Sequence, residues 1–243
     1  MAEPSEMPKI REFSQLNQSI HQLTMSVRKT YLSQKEFIEN ASHELQTPLT
    51  TLKFKLELLL QEKDLSQNQS LLISDMYKVI EQMDELNKNI LLLSKIENGQ
   101  FASMEPVVII NIVNEAANDL LLIAESKSQK IIKTFSTDGI FIQSNKMLLK
   151  ILVNNLILNA LQYSDANTAI RISVDEYLLT VSNPGLPLNI NNDKLFSRFN
   201  KNNSGKGNGL GLSIVKAISD LYNYKISYEY SSGNHHFKLQ WNN

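Results

Sequence analysis

Two long apolar stripes separated by a short polar break constrain this chain more than any other feature of its sequence. From Phe13 the residues Leu16, Ile20, Leu23 and Val27 recur at spacings of three and four, and Phe37, Ala41, Leu45, Leu49, Leu52, Leu56 and Leu59 carry the rhythm onward. Such spacings put side chains on one face of an α-helix and suit packing against another helix. The polar stretch 63–69 interrupts the pattern, which resumes at Leu72, Met76, Val79, Met83, Leu86, Ile90 and Leu93 and stops at Asn98-Gly99, where glycine readily takes the left-handed conformation that ends a helix. The spacing predicts two long helices folded back as an antiparallel hairpin. One hairpin buries stripes of this length poorly, whereas pairing with a second copy into a four-helix bundle covers them. A homodimer is the expected state.

Beyond Gly99 the pattern changes. Segments 107–112, 130–135, 139–142, 169–174, 177–181, 225–230 and 235–241 are rich in residues that favour strands, and helical patterns at 111–126, 146–163 and 210–222 lie between them. The expectation is an α+β chain of two domains, a helical hairpin followed by an α/β sandwich with strands on one side and helices on the other. With 243 residues and 42% hydrophobic content there is enough material for both cores. The balance of 24 Lys and Arg against 25 Asp and Glu argues against a chain that coats nucleic acid or an anionic membrane. The absence of cysteine excludes disulfides and thiolate metal sites. No run of roughly 20 apolar residues and no signal-peptide pattern is present, so the chain as given is expected to be soluble.

His43 is the first candidate for chemistry. At about 100° per residue it lies about 200° around the helix from Ala41 and Leu45, both in the apolar stripe, so its imidazole should face solvent. Pro48 removes a helical hydrogen bond and crowds the carbonyl of Glu44, which predicts a bend beside His43. A neutral imidazole nitrogen is a competent nucleophile, and an adjacent carboxylate such as Glu44 can hold the ring's tautomer. On geometry alone, a surface histidine beside a glutamate is more commonly a solvated helix face. His21, His235 and His236 read as ordinary surface or strand residues.

A second cluster lies in NNLILNALQYS, residues 154–164, where Asn155 and Asn159 share one helix face and can offer amide carbonyls to a hard cation. A third is GKGNGLGLSIVKAI, residues 205–218, whose Gly207, Gly209 and Gly211 precede an apolar helix. Backbone amides at such a helix start can cradle phosphate.

Taken together these strings resemble the sensor histidine kinases of two-component systems. FIENASHELQTPLT, residues 37–50, is similar to their phosphoacceptor box, residues 154–164 to the N box, FSRF at 196–199 to the F box, and residues 205–218 to the G2 box. The resemblance implies residues 1–35 as a membrane-proximal signalling helix, 36–99 as the dimerisation and phosphotransfer domain, and 100–243 as an ATP-binding domain of the GHKL ATPase type. It implies that His43 is phosphorylated from ATP, with Glu44 as its acid/base partner, and that the phosphoryl group passes to an aspartate of a response regulator. Thr47 would help to orient the water that dephosphorylates that regulator.

By the same resemblance Asn159 holds Mg²⁺ and Asn155 assists. Gln162, Tyr163, Asn183, Gly185, Gly207, Gly209, Leu210, Gly211 and Leu212 surround ATP, and Arg198 faces its γ-phosphate. Segment 200–206 becomes a nucleotide lid, and the whole protein is anchored at the cytoplasmic side of the cell membrane by parts upstream. Four departures stand out. Gln46 occupies the usual basic position of the phosphoacceptor box, and Gln162 stands where lysine is common. In VSNPGLPL, residues 181–188, Asn183 replaces the G1-box aspartate that accepts a hydrogen bond from adenine, and Pro187 replaces a glycine. A chain of this kind that has lost kinase activity, leaving a phosphatase or a scaffold, is the alternative. A relative that only hydrolyses ATP for conformational work is a further one, disfavoured by the phosphoacceptor box.

Overall fold

The computed structural model describes residues 9–62, 64–101, 103–137, 139–188, 192–199 and 208–242. They fall into two compact units, one ending at Tyr77 and the other beginning at Lys78.

The first unit holds helix α1 (Lys9–Leu60) and the start of helix α2 (Gln67–Glu97). The helix start at Gln67 is set by reciprocal bonds, because the Ser66 N–H donates to Gln69 Oε1 at 2.9 Å and the Gln69 N–H to Ser66 Oγ at 3.3 Å. This is a capping box, which satisfies two backbone donors that a helix start otherwise leaves open. α1 runs unbroken through Pro48. Near the turn the helices are tied by the Tyr77 hydroxyl, which donates to Glu57 Oε1, and by the Lys53 ammonium over the Tyr77 ring. On α1 the predicted stripe divides, with Leu49 and Leu56 buried within the chain and Leu45 and Leu52 about half exposed. On α2 the predicted Leu72 and Met76 are also about half exposed, and Ile73, which the predicted stripe did not include, is buried instead.

The second unit opens with the rest of α2, which ends as predicted. Gly99 sits at φ +66°, its N–H donates to the Ile96 carbonyl, and the Gln100 N–H donates to that of Lys95. That pair of bonds is the Schellman cap, which glycine favours because it has no Cβ to clash. There follow β1 (Glu105–Val108), α3 (Ile109–Asp119), α4 (Leu121–Ser126), β2 (Lys130–Phe135), β3 (Phe141–Ser144) and α5 (Lys146–Tyr163). The unit continues with β4 (Ala169–Asp175), β5 (Leu178–Pro184), the short α6 (Asn192–Leu195), α7 (Gly211–Leu221), β6 (Lys225–Ser231) and β7 (Asn234–Gln240). The main sheet runs β2-β4-β5-β7-β6. Only the β2–β4 pair is parallel, and β1 and β3 form a small separate ladder.

One face of the sheet is apolar. Ile170, Ile172 and Val174 on β4, Leu179 and Val181 on β5, and Phe237 and Leu239 on β7 are buried, as strand alternation requires. α5 packs on β4 and β5, and α3 and α7 pack on α5. Because α5 is covered on several sides it is apolar nearly all round, with Leu148, Leu149, Leu152, Val153, Leu156 and Ile157 inaccessible to solvent. Asn145 caps it through Oδ1, which accepts from the N–H groups of Met147 and Leu148. Leu93 and Ile96 from the end of α2 join this core. No helix among the described residues is long and apolar enough to cross a membrane.

Two expectations are corrected here. The strand expected over 107–112 ends at Val108, and Ile109 to Ile112 form the first turn of α3. Ile109, Ile112, Val113 and Ala116 follow a helical period and are all fully buried. Packing along that face outweighs the strand preference of β-branched residues. The single helix expected over 111–126 is two helices, broken at Leu120, whose φ of −102° and ψ of 3° leave the helical range.

Candidate functional site

One cleft in the second unit gathers most of the residues singled out in the sequence. α5 contributes Asn155, Leu158, Asn159, Gln162 and Tyr163. Asn183 comes from the end of β5, and Asn208, Gly209, Gly211 and Leu212 come from the start of α7. Glu85 and Asn89 of α2, together with His235 and Phe237 of β7, complete much of the wall. The single-turn spacing of Asn155, Asn159, Gln162 and Tyr163 delivers all four to the same side of α5.

At one end of the cleft the chemistry is that of a buried acceptor. Asn183 is 1% exposed. Its amide nitrogen donates to Ser164 Oγ at 3.1 Å and to the Pro184 carbonyl at 3.2 Å, whereas its Oδ1 has no partner. A buried carbonyl without a donor is costly, and one lining a cleft is suited to a ligand N–H. Asn183 lies opposite His235 in the β5–β7 ladder. His235 is buried, its Nδ1 is 2.8 Å from the Tyr228 hydroxyl, and it stacks on Tyr228. Burial pushes its pKa down from 6.5, and the nearby His236 adds to the effect. Gly185 is small for a steric reason, since a Cβ there would lie 2.5 Å from His235 Nε2. His235 is therefore part of the cleft, not the ordinary strand residue its sequence context suggested. Alternation along β7 places it on the inner face with Phe237 and Leu239, but the cleft it faces becomes evident only from strand order.

At the other end, Asn155 donates from Nδ2 to the Ile151 carbonyl at 2.8 Å, and its Oδ1 lies against Gly211 at the start of α7. A Cβ on Gly211 would meet that oxygen at 2.7 Å, so the glycine permits the start of α7 to approach α5. Gly209 has φ +70°, a conformation that glycine adopts without strain. Two amide oxygens on one helix face form a hard-donor set that fits Mg²⁺. The helix start beside them fits phosphate.

Several sequence candidates are placed elsewhere. Leu210 is buried behind the cleft, where its carbonyl accepts from the Ile214 N–H and from Ser213 Oγ. The Arg198 guanidinium is not at the cleft wall and pairs with Glu97 at the end of α2. Gly207 and the expected lid at 200–206 lie outside the described residues. In the first unit His43, Glu44 and Thr47 are all exposed on α1, as the helical geometry predicted, beside the buried Ser42. Leu45, by contrast, is half exposed in the single chain.

Two family models match parts of this chain. Residues 33–99 match the His Kinase A (phospho-acceptor) domain, and residues 144–241 match the histidine kinase-, DNA gyrase B-, and HSP90-like ATPase family. The heme sensor protein HssS of Staphylococcus aureus strain Newman is 29% identical over 228 residues, which cover 91% of this chain and 49% of that protein. The chain thus spans about half the length of the curated relatives it matches. Among solved structures, full-length ShkA in complex with AMPPNP has a TM-score of 0.68 at 20% identity, covering 85% of this chain and 46% of that one. The Acinetobacter baumannii histidine kinase AdeS has a TM-score of 0.56 at 21% identity, covering 83% and 98%. At these identities the structural likeness speaks to fold.

Proposed function

We propose, from the premise that the chain belongs to the sensor histidine kinases, that it phosphorylates His43 from ATP and passes the phosphoryl group to an aspartate of a response regulator. The observation that carries this reading is the cleft. It gathers a buried acceptor, two amide oxygens and a glycine-flanked helix start in a chain that also presents an exposed histidine beside a glutamate.

In this reading the adenine amino group donates to Asn183 Oδ1, and the backbone at Gly209 and Gly211 receives the phosphates. Asn159 and Asn155 would hold Mg²⁺, which when bound neutralises charge on the phosphate oxygens. An imidazole nitrogen of His43 attacks the γ-phosphorus in line. The new P–N bond forms as the bond to the bridging oxygen breaks, ADP leaves, and Glu44 takes the imidazole proton. The phosphohistidine then donates to a receiver aspartate, and Thr47 with Glu44 assists removal of that phosphoryl group by water. Exposure of His43 and Thr47 supports access for both partners. The half-exposed stripe of Leu45, Leu52, Leu72 and Met76 supports a homodimer in which a second copy covers it. The whole protein acts at the cytoplasmic side of the cell membrane.

Asn183, Gln162 and Gln46 favour a second reading, a chain biased towards the phosphatase reaction. Incubation with γ-labelled ATP and Mg²⁺ separates the two. Label in the parent, lost in Asn159→Ala, is the kinase result. ATP binding without label supports the phosphatase or scaffold.

A further inference from the structure

Ser164, which does not line the cleft, holds the residue that does. Its hydroxyl oxygen lies 2.8 Å from the Ala160 carbonyl and 3.4 Å from that of Pro184. Both are acceptors, so the hydroxyl hydrogen is committed to a carbonyl whichever it chooses, and the oxygen faces Asn183 as an acceptor. Asn183 Nδ2 donates to that oxygen at 3.1 Å and to the Pro184 carbonyl at 3.2 Å. A turned amide would set Oδ1 against the Pro184 carbonyl, oxygen to oxygen, and could be met by Ser164 only if its hydroxyl gave up the 2.8 Å bond to the Ala160 carbonyl. The amide is thereby locked, with its nitrogen committed to two acceptors and its oxygen buried without a donor in a residue that lines the cleft.

We propose that Ser164 is a positioning residue that fixes the Asn183 amide as an acceptor, and so selects a purine bearing an amino group at its 6-position over one bearing an oxygen there. The inference rests on the reading of this cleft as a nucleotide site. A carboxylate presents an acceptor however it is turned. An asparagine must be held to do the same, because rotation by half a turn would present a donor instead. The relay from Asn183 through Ser164 to the end of α5 supplies that hold. A 6-amino group satisfies the orphaned oxygen, whereas a 6-oxo group places a second acceptor against it, leaving both unpaired.

The test compares binding of ATP and inosine triphosphate to the full chain by calorimetry. ATP is expected to bind the parent at least about tenfold more tightly. In Ser164→Ala the ratio should fall about fivefold through a gain in inosine triphosphate binding, as the amide becomes free to turn. Ser164→Thr, which keeps the hydroxyl, should retain the parent ratio. In an Asn183→Asp background the Ser164→Ala change should alter the ratio by less than about twofold, because no orientation remains to be fixed. An unchanged ratio in Ser164→Ala, or an equal loss of both ligands, overturns the relay. So does a Ser164→Thr ratio that follows alanine. Equal binding of both nucleotides by the parent overturns the acceptor assignment while leaving the nucleotide site intact. No ATP binding at all overturns the nucleotide reading together with this proposal.

Discussion

The helical hairpin and the α/β unit solve burial in opposite ways. In the α/β unit a covered sheet face and the all-apolar α5 give a core whose central side chains are wholly inaccessible in a single chain. In the hairpin Leu49, Leu56 and Ile73 are buried within the chain, but the stripe residues Leu45, Leu52, Leu72 and Met76 stay about half exposed. Amphipathic helices whose apolar face is half covered require a second surface. The α/β unit thus builds its core within one chain, whereas the hairpin leaves an apolar face that the proposed dimer would cover. Changes in the two regions should therefore fail in different assays.

The largest effect should come from charging the uncovered stripe. Leu52→Glu combined with Met76→Glu is expected to weaken dimerisation by at least about a hundredfold in sedimentation equilibrium, because each carboxylate would be buried without a partner. ATP affinity should be retained. In the other half, Leu156→Ala leaves a cavity in α5 and should cost about 3 kcal/mol in denaturant unfolding of that unit, with the dimer mass unchanged. Gly211→Ala pushes a Cβ into Asn155 Oδ1 and is expected to weaken ATP binding about tenfold by calorimetry, with a smaller loss of melting temperature.

The smallest expected effect is a pH dependence. Burial depresses the folded-state pKa of His235 below 6.5, so as pH falls through that value the unfolded chain takes up a proton that the folded chain refuses. The contribution of this site is fully present above pH 6.5 and is lost as pH falls towards the folded pKa. The melting temperature of the parent should drop between pH 7 and pH 5 by more than that of His235→Gln. An equal drop in both would remove His235 from the account.

Legibility in the sequence followed the same division. The hairpin, its glycine stop and α5 with its asparagine pair were readable because periodicity and caps are local signals. The first turn of α3 was not, since Ile109, Ile110, Ile112 and Val113 are strand-formers by composition and helical by the core they fill. Asn155, Asn159, Gln162, Tyr163, Asn183, Gly209, Gly211 and Leu212 of the cleft could be named from short motifs, but His235 could not, and three facts required the fold. Asn183 faces His235 across two strands whose pairing spans more than 50 positions. Ser164 reaches Asn183 from the end of a different element. Arg198 pairs with Glu97, 101 positions earlier in the chain. Each depends on strand order or on distant pairing, which no local window contains.

The central claim, that the exposed His43 receives the γ-phosphate of ATP, is tested most directly by locating the label. The parent and His43→Ala are incubated with γ-labelled ATP and Mg²⁺, and protein-bound label is followed through acid and base treatment. The account predicts acid-labile, base-stable label on the parent and none on the variant. Label that persists in His43→Ala would contradict it.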